Sequence, residues 1–289
     1  MSAHNFPSPH GRRWLRVRPG QMLAGILLLV SAFIAILPFY LMIVNSLKTL
    51  AEVSRSPWGP PPVPHFDNFS NAFTQGGLGL ALFNSISMTG ADLFIMIVTG
   101  SMAAYTLARR TDRFTRAIYY IFVAGVVIPA AVVILPLYRL MQTVGLLDTR
   151  RGVVLYQTAA TLPFVIILYV GFLKGMPQEV EESAAMDGAS SLRIFWQIVF
   201  PLMRPVTVTC AVIMGMWVWN DFLGPLVLLN SASLEPIPMI VYNYIGPHNV
   251  EWEMVFATVL IASAPLLLLF VFLQRYFISA LASGGALKG

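Results

Sequence analysis

Six stretches of this chain run for about 20 residues with almost no charge, at roughly 22–44, 86–108, 118–138, 153–173, 205–229 and 255–274. About 20 helical residues cross the ~30 Å hydrocarbon layer of a bilayer. Inside that layer a helix satisfies every backbone amide within its own segment, so helices are the economical solution for runs of this length. The chain is therefore predicted to be an all-α polytopic membrane protein with six transmembrane helices. A mean hydropathy of +0.74, with only 11% charged residues, agrees. The first run is followed by Asn45, Ser46 and Lys48 instead of a small-residue cleavage site, so it is expected to stay in the mature protein.

The pI of about 9.5 invites a nucleic-acid reading, but the positions of the basic residues point to membrane topology. With the N-terminus in the cytoplasm, Arg12, Arg13, Arg16, Arg18, Arg109, Arg110, Arg113, Arg116, Lys174, Arg193, Arg204, Arg275 and Lys288 lie inside. Lys48, Arg55, Arg139, Arg150 and Arg151 lie outside. Thirteen of the 18 basic residues on one side is the positive-inside bias, and six spans then put both termini in the cytoplasm. The cluster Arg12 to Arg18 suits anionic lipid headgroups, and no nucleic-acid partner is expected. The single cysteine, Cys210, falls in the fifth span and excludes an intrachain disulfide. His4, His10, His65 and His248 show no ligand spacing, so no metal site is expected.

Two segments are expected outside the membrane. Residues 46–85 contain "SPWGPPPVPHF", which its prolines hold extended, as a rigid strap or a contact surface for an external partner. Residues 230–253 mix aromatic and acidic side chains. On the cytoplasmic side, "RRTDRFTR" at 109–116 is a short basic turn, which leaves 175–204 as the only sizeable loop.

That loop carries four of the 13 acids, Glu179, Glu181, Glu182 and Asp187. Pro177 suits a first helical position, and the three glutamates then sit at the positive end of the helix dipole. Gly188 stands where a left-handed residue ends a helix, and Ser190 or Ser191 can cap a second helix whose Ile194 and Ile198 share a face flanked by Phe195. Two short helices meeting at a bend make a knob. Helices that lie on lipid headgroups favour basic polar faces. An opening with three glutamates instead suits docking into a cytoplasmic protein.

The segment "EESAAMDGASSLRIFWQIVFP" resembles the EAA motif of the permease subunits of binding-protein-dependent ABC importers: Glu-Ala-Ala, three residues, Gly, nine residues, Ile, one residue, Leu-Pro. The matching positions are Glu182, Ser183, Ala184, Gly188, Ile198, Phe200 and Pro201, with Ser183 in place of Ala and Phe200 in place of Leu. "SMAAYTLARR", "IPAAVVILPLYRLMQTVGLLDTRRGVVLYQTAATLPFVI", "WNDFLGPLVL" and "GGALKG" are similar to the carbohydrate branch of that family, so the likeness covers most of the chain. The resemblance implies a single transmembrane domain over 1–289 with the type I importer fold, in a bacterial or archaeal cytoplasmic membrane. It implies a cytoplasmic coupling loop at 175–204 that docks on an ATPase through Glu181, Glu182, Ala184, Ala185, Asp187 and Gly188, with Glu182 meeting a basic residue. It also implies a second homologous permease subunit, two ABC ATPase subunits and an extracytoplasmic substrate-binding protein. Carbohydrate or polyol is the implied cargo.

The chain has no GxxxxGK[ST] phosphate loop, so no cofactor is expected in it; ATP and Mg would be bound by the partner ATPase. It is read as a transport subunit, not an enzyme. Trp219, Asn220 and Asp221 interrupt the fifth span and either line a translocation path or form a hydrogen-bond network; an acid there must face protein or water. Asp92, in the second span, has no assigned role. Pro38, Pro129, Pro136, Pro163 and Pro265 break spans as transporter helices often do, and Gly100 and Ala104 suit close helix packing. A different solute, such as an amino acid, phosphate or polyamine, is the nearest rival cargo. An ion-coupled secondary transporter would require an inverted repeat and facing ionisable residues, which the sequence does not display.

Overall fold

A computed structural model describes residues 19–246 and 250–286. The basic cluster Arg12 to Arg18, together with His4, His10, His248 and Lys288, lies outside them. Among the described residues the chain is helical, with one isolated bridge between Ile245 and Val250. In chain order the helices are α1 (Pro19–Ser46), α2 (Leu50–Arg55), α3 (Asp67–Thr74), α4 (Leu78–Arg109), α5 (Arg113–Val127), α6 (Ala130–Thr143) and α7 (Arg150–Lys174). They continue with α8 (Glu179–Met186), α9 (Ser191–Ile194), α10 (Phe200–Leu202), α11 (Arg204–Trp219), α12 (Leu223–Leu228), α13 (Ile237–Asn243) and α14 (Trp252–Ala286).

The stretches Met22–Ser46, Leu78–Arg109 and Arg150–Lys174 are continuous helix long and apolar enough to cross a membrane. The third and fifth expected spans are not straight. The run at 118–138 is divided between α5 and α6, with a bend of 110° from one to the other. Pro129 supplies no backbone N–H and forces Ile128 out of the helical region (φ −75°, ψ 118°), so the ladder stops there. The run at 205–229 is continuous helix only to Trp219 and resumes as the short α12, and α11 is entered through a 72° bend from the preceding helical stretch at 191–202. The second span begins at Leu78, earlier than the expected 86. The sixth run lies within α14, which is apolar over Trp252–Leu268.

Helices α4 and α7 form the central pair. Met96, Val165, Ile166, Tyr169, Val170 and Leu173 are buried with Phe195, Val199 and Met203 of the loop region and Cys210 of α11. A Cβ at Gly100 would lie 3.1 Å from the Val165 Cγ1, and Ala104 is fully buried, so small residues permit the close α4–α7 approach. Helix α1 instead exposes most of its length, including Leu28, Leu29 and Phe33, as a lipid-facing helix does.

The 46–85 strap is tied to the end of α1. Asn45 donates its amide to the carbonyls of Leu41 and Pro57. The buried Lys48 donates to the Asn45 Oδ1 (3.1 Å) and the Ser56 carbonyl (2.7 Å). Asn68 donates to the carbonyls of Ser46 and Lys48. These bonds tether the segment to the end of α1, and Trp58, Val63 and Phe66 stay exposed along it.

The 230–253 segment is clamped at its start. Asp148, itself in the left-handed region at φ 53°, accepts bonds from the Asn230 and Ser231 amides and from the Ser231 hydroxyl. The hydroxyl and the two amides hold its carboxyl below the usual carboxylate range. Asn84 of α4 donates to the carbonyls of Ser233 and Glu235, while Arg150 donates to the Asn84 Oδ1 (3.0 Å) and Ser85 accepts from the Ile237 amide (2.9 Å).

Candidate functional site

The loop between α7 and α11 is built from local signals. Pro177 falls just outside α8, where Gln178 occupies the capping position and receives the amides of Glu181 and Glu182 on its carbonyl. The expectation of Pro177 as the first helical residue is corrected by that boundary: the proline follows the turn in which Gly175 and Met176 bond back to Phe172 and Leu173 and end α7. At its other end, α8 closes with Gly188 at φ +82°. The Gly188 amide bonds to the Ala185 carbonyl (3.0 Å) and the Ala189 amide to the Ala184 carbonyl (3.1 Å). This paired closure satisfies carbonyls left over at a helix end and needs a residue without a Cβ penalty. Ser190 then caps α9, its hydroxyl accepting from the Arg193 amide.

After Ile194 the backbone widens into a π-helical turn over Phe195–Val199, which sequence reasoning missed. Pro201 has no amide to return to the carbonyl four residues earlier, and the Phe200 amide reaches instead to Phe195, five residues back. Phe195 is buried beside the rings of Tyr105, Trp196 and Phe200, with centroids 5.3, 4.8 and 6.0 Å away. Pro205 in the first turn of α11 marks the turn after the 72° bend.

The six residues expected at the docking surface divide by direction. Glu182, Ala185, Asp187 and Gly188 are exposed, and Ala184 is half-buried against the core. Glu181 turns inward and is 9% exposed. It pairs with Arg109 of α4, which donates Nε to both carboxylate oxygens (3.0 and 3.3 Å) and Nη2 to one of them. The Tyr105 hydroxyl adds a bond at 3.0 Å. Beside the exposed acids stand Val180, Met186 and Leu192, with Met186 89% exposed. These apolar residues belong to the outward surface and were not among the expected site residues. The signal for them is a large apolar side chain on a face that carries acids and has no core opposite.

The break at 219–221 also divides. Trp219 is buried among Ala72, Leu78, Ile237 and Met254. Asn220 is exposed and donates to the Met216 carbonyl (2.7 Å). Asp221 accepts from the Gln157 side chain (3.2 Å) and from the Gly224 amide (3.3 Å). A Cβ at Gly224 would fall 2.1 Å from the Tyr156 ring, so only glycine lets this turn close against α7. Asp92 is buried and accepts from Thr158 of α7 (2.8 Å), a partner in the same chain. A mainly apolar cavity of ≈ 680 Å³ lies among α5, α6, α7 and α11, with Leu137, Met141, Tyr156, Met214 and Trp217 in its wall.

The Gln157 Oε1 has no hydrogen-bond partner among the described residues. Asp221→Asn can therefore keep the network, because a flipped Gln157 amide would accept from the new Asn. Complex yield is expected to stay near wild type for Asp221→Asn and to fall for Asp221→Leu, which strips both acceptor bonds at about 1–3 kcal/mol for the groups left unpaired. Yield on affinity purification checks this, and uptake by the intact Asn variant reads the role of the charge in transport.

Residues 96–283 match the family model described as binding-protein-dependent transport system inner membrane component. The chain belongs to that family. The permease is 35% identical over 268 residues to the melibiose/raffinose/stachyose import permease protein MelC of Bacillus subtilis, covering 91% of this chain and 96% of MelC. It is 32% identical over 256 residues to AmyC of Thermoanaerobacterium thermosulfurigenes, a probable starch degradation products transport permease, covering 89% and 93%. A crystal structure of a bacterial ABC transporter involved in alginate import shares the fold, with a TM-score of 0.79 at 23% identity over 93% of this permease and 100% of that chain. The permease is thus a membrane-embedded component of a binding-protein-dependent transport system, with the ABC type I importer fold.

Proposed function

We propose that this permease is one of two related membrane subunits of an ATP-driven importer for a carbohydrate or polyol. It forms half of the translocation path and receives movement from a separate ATPase through residues 175–204. The observation that carries the reading is the outward face of α8, where Glu182, Asp187 and the apolar Met186 project together beside the left-handed turn at Gly188. Membrane relatives named for melibiose, raffinose and stachyose, and for starch degradation products, support a carbohydrate cargo. Both termini and the coupling loop lie in the cytoplasm of a bacterial or archaeal cell, and residues 46–85 and 230–253 face outward toward a soluble substrate-binding protein. Two cytoplasmic ATPase subunits bind ATP and Mg. Their closure displaces the groove holding α8, and the rigid capping of the loop carries that displacement into the bundle.

Reconstituted vesicles holding the full importer are expected to accumulate an oligosaccharide only with ATP inside and the binding protein outside. Uptake persists when proton and sodium gradients are collapsed at constant ATP. Accumulation by this permease alone under an ion gradient overturns the reading, and uptake of amino acids, phosphate or polyamines in place of sugars overturns the cargo class.

A further inference from the structure

One of the four acids in the loop, Glu181, turns into the protein. Glu181 and Arg109 are both largely out of water, with side chains 11% and 13% exposed. Burying two charges carries a desolvation penalty, and a pair of this kind is often matched in stability by apolar residues of the same volume. What the arrangement adds is geometry. The guanidinium fork approaches a carboxylate in a fixed plane, which a single ammonium does not impose. Arg109 also donates Nη1 to the Leu173 carbonyl in the last turn of α7 (2.9 Å). Tyr105, one turn earlier on α4, bonds Glu181 through its hydroxyl and meets Phe195 with its ring. The cytoplasmic end of α4, the end of α7, the docking helix α8 and the turn after α9 therefore converge on one charged node.

The other end of α4 is also fastened. Asn84 and Ser85 hold the backbone of Ser233, Glu235 and Ile237. Both attachments sit on one unbroken helix of 32 residues with no internal proline, and the stretch from Asn84 to Arg109 spans about 38 Å at 1.5 Å per residue. The neighbouring candidate spans are less suited to transmit a push: α7 contains Pro163, and the α5–α6 and α9–α11 paths are bent by 110° and 72°.

We propose that the Arg109–Glu181 pair is the joint through which the coupling loop drives α4 as one body, so that movement at α8 reaches the external segment at 231–237. Arg109, Tyr105 and Glu181 are positioning residues, and Glu181 faces this joint, not the ATPase groove. The proposal rests on the coupling role of the loop given above.

The test uses the complete importer with spin labels on Thr106→Cys in α4 and Gln178→Cys at the start of α8, both exposed positions; the native Cys210 is buried and stays unlabelled. With Arg109 present, the distance between labels is expected to be the same in the nucleotide-free state and in the state trapped with ATP and vanadate. In Arg109→Gln the distance is expected to change between the two states. Sugar moved per ATP hydrolysed falls about tenfold while basal hydrolysis continues, a loss inside the roughly 5–150-fold range of coupling between sites. If Arg109→Gln fails to assemble, Arg109→Lys keeps the charge without the fork and is expected to give a ratio between the two. A wild-type distance that shifts beyond its own width on trapping, or a full transport ratio in the Gln or Lys variant, overturns the joint. The distance measurement requires no sugar, so an importer that takes up no sugar fails the functional reading while the joint is still judged.

Discussion

Glu182→Lys is expected to abolish assembly with the ATPase, while Glu182→Gln retains a measurable fraction. The Glu182 carboxylate is exposed and makes no ion pair among the described residues, so its charge is free to meet a cation on a docking partner. Docking removes water from both groups, and replacing one partner leaves the other charge buried alone at about 3–5 kcal/mol. Gln keeps an acceptor and avoids the repulsion that Lys creates. Glu179 supplies the control. It lies three residues earlier on α8 and is also exposed, so a loop that needs only negative charge suffers as much from Glu179→Lys. A specific pair predicts a much milder defect there, with rescue of Glu182→Lys by an acid placed in the ATPase groove. Co-purification of the ATPase with the tagged permease measures all four variants. Equal loss at both positions without rescue removes the specific pair.

Gly188→Val is expected to give a permease that still inserts but loses most of its bound ATPase. Nothing lies within 4 Å of a Cβ built at this position, so the defect does not come from a collision. It comes from the backbone: φ +82° is a conformation that a β-branched residue strongly resists, at about 1–3 kcal/mol. Each 1.4 kcal/mol is about tenfold in a binding equilibrium, so co-purified ATPase and coupled transport should fall by about one order of magnitude. Because the penalty is conformational, the order of substitutions is set in advance. Asn tolerates the left-handed region and should be mildest, Ala intermediate, and Val worst. If Asn and Val reduce binding equally, the turn is not what positions the docking face.

The features legible from sequence are those whose cause is short-ranged. Uncharged runs announced the spans because bilayer thickness sets a helix length. The Gly188 turn and the Ser190 cap followed from residues within one helical turn of each other, and the structure has both. The break in the third expected span also has a local cause, since Pro129 disrupts only its own neighbourhood; its 110° angle depends on what α5 and α6 then pack against. The π-turn at Phe195–Val199 lay beyond pattern reading because its local cause, the missing amide of Pro201, acts together with the ring cluster that receives Phe195.

The sequence by itself determined that the chain is a helical membrane protein with a polar knob on one face, because hydropathy and capping act within about 20 residues. Only the tertiary structure decided which acids of that knob face outward. Glu181 and Glu182 are adjacent and chemically alike, yet one is drawn 72 residues back along the chain to Arg109 and the other is left to the solvent. The same holds at 219–221, where burial of Trp219 beside α3, α4 and α13, and the bond from Gln157 to Asp221, depend on helices meeting across the bundle. A helix presents successive side chains about 100° apart, so which neighbour each one meets is settled only when the helices pack.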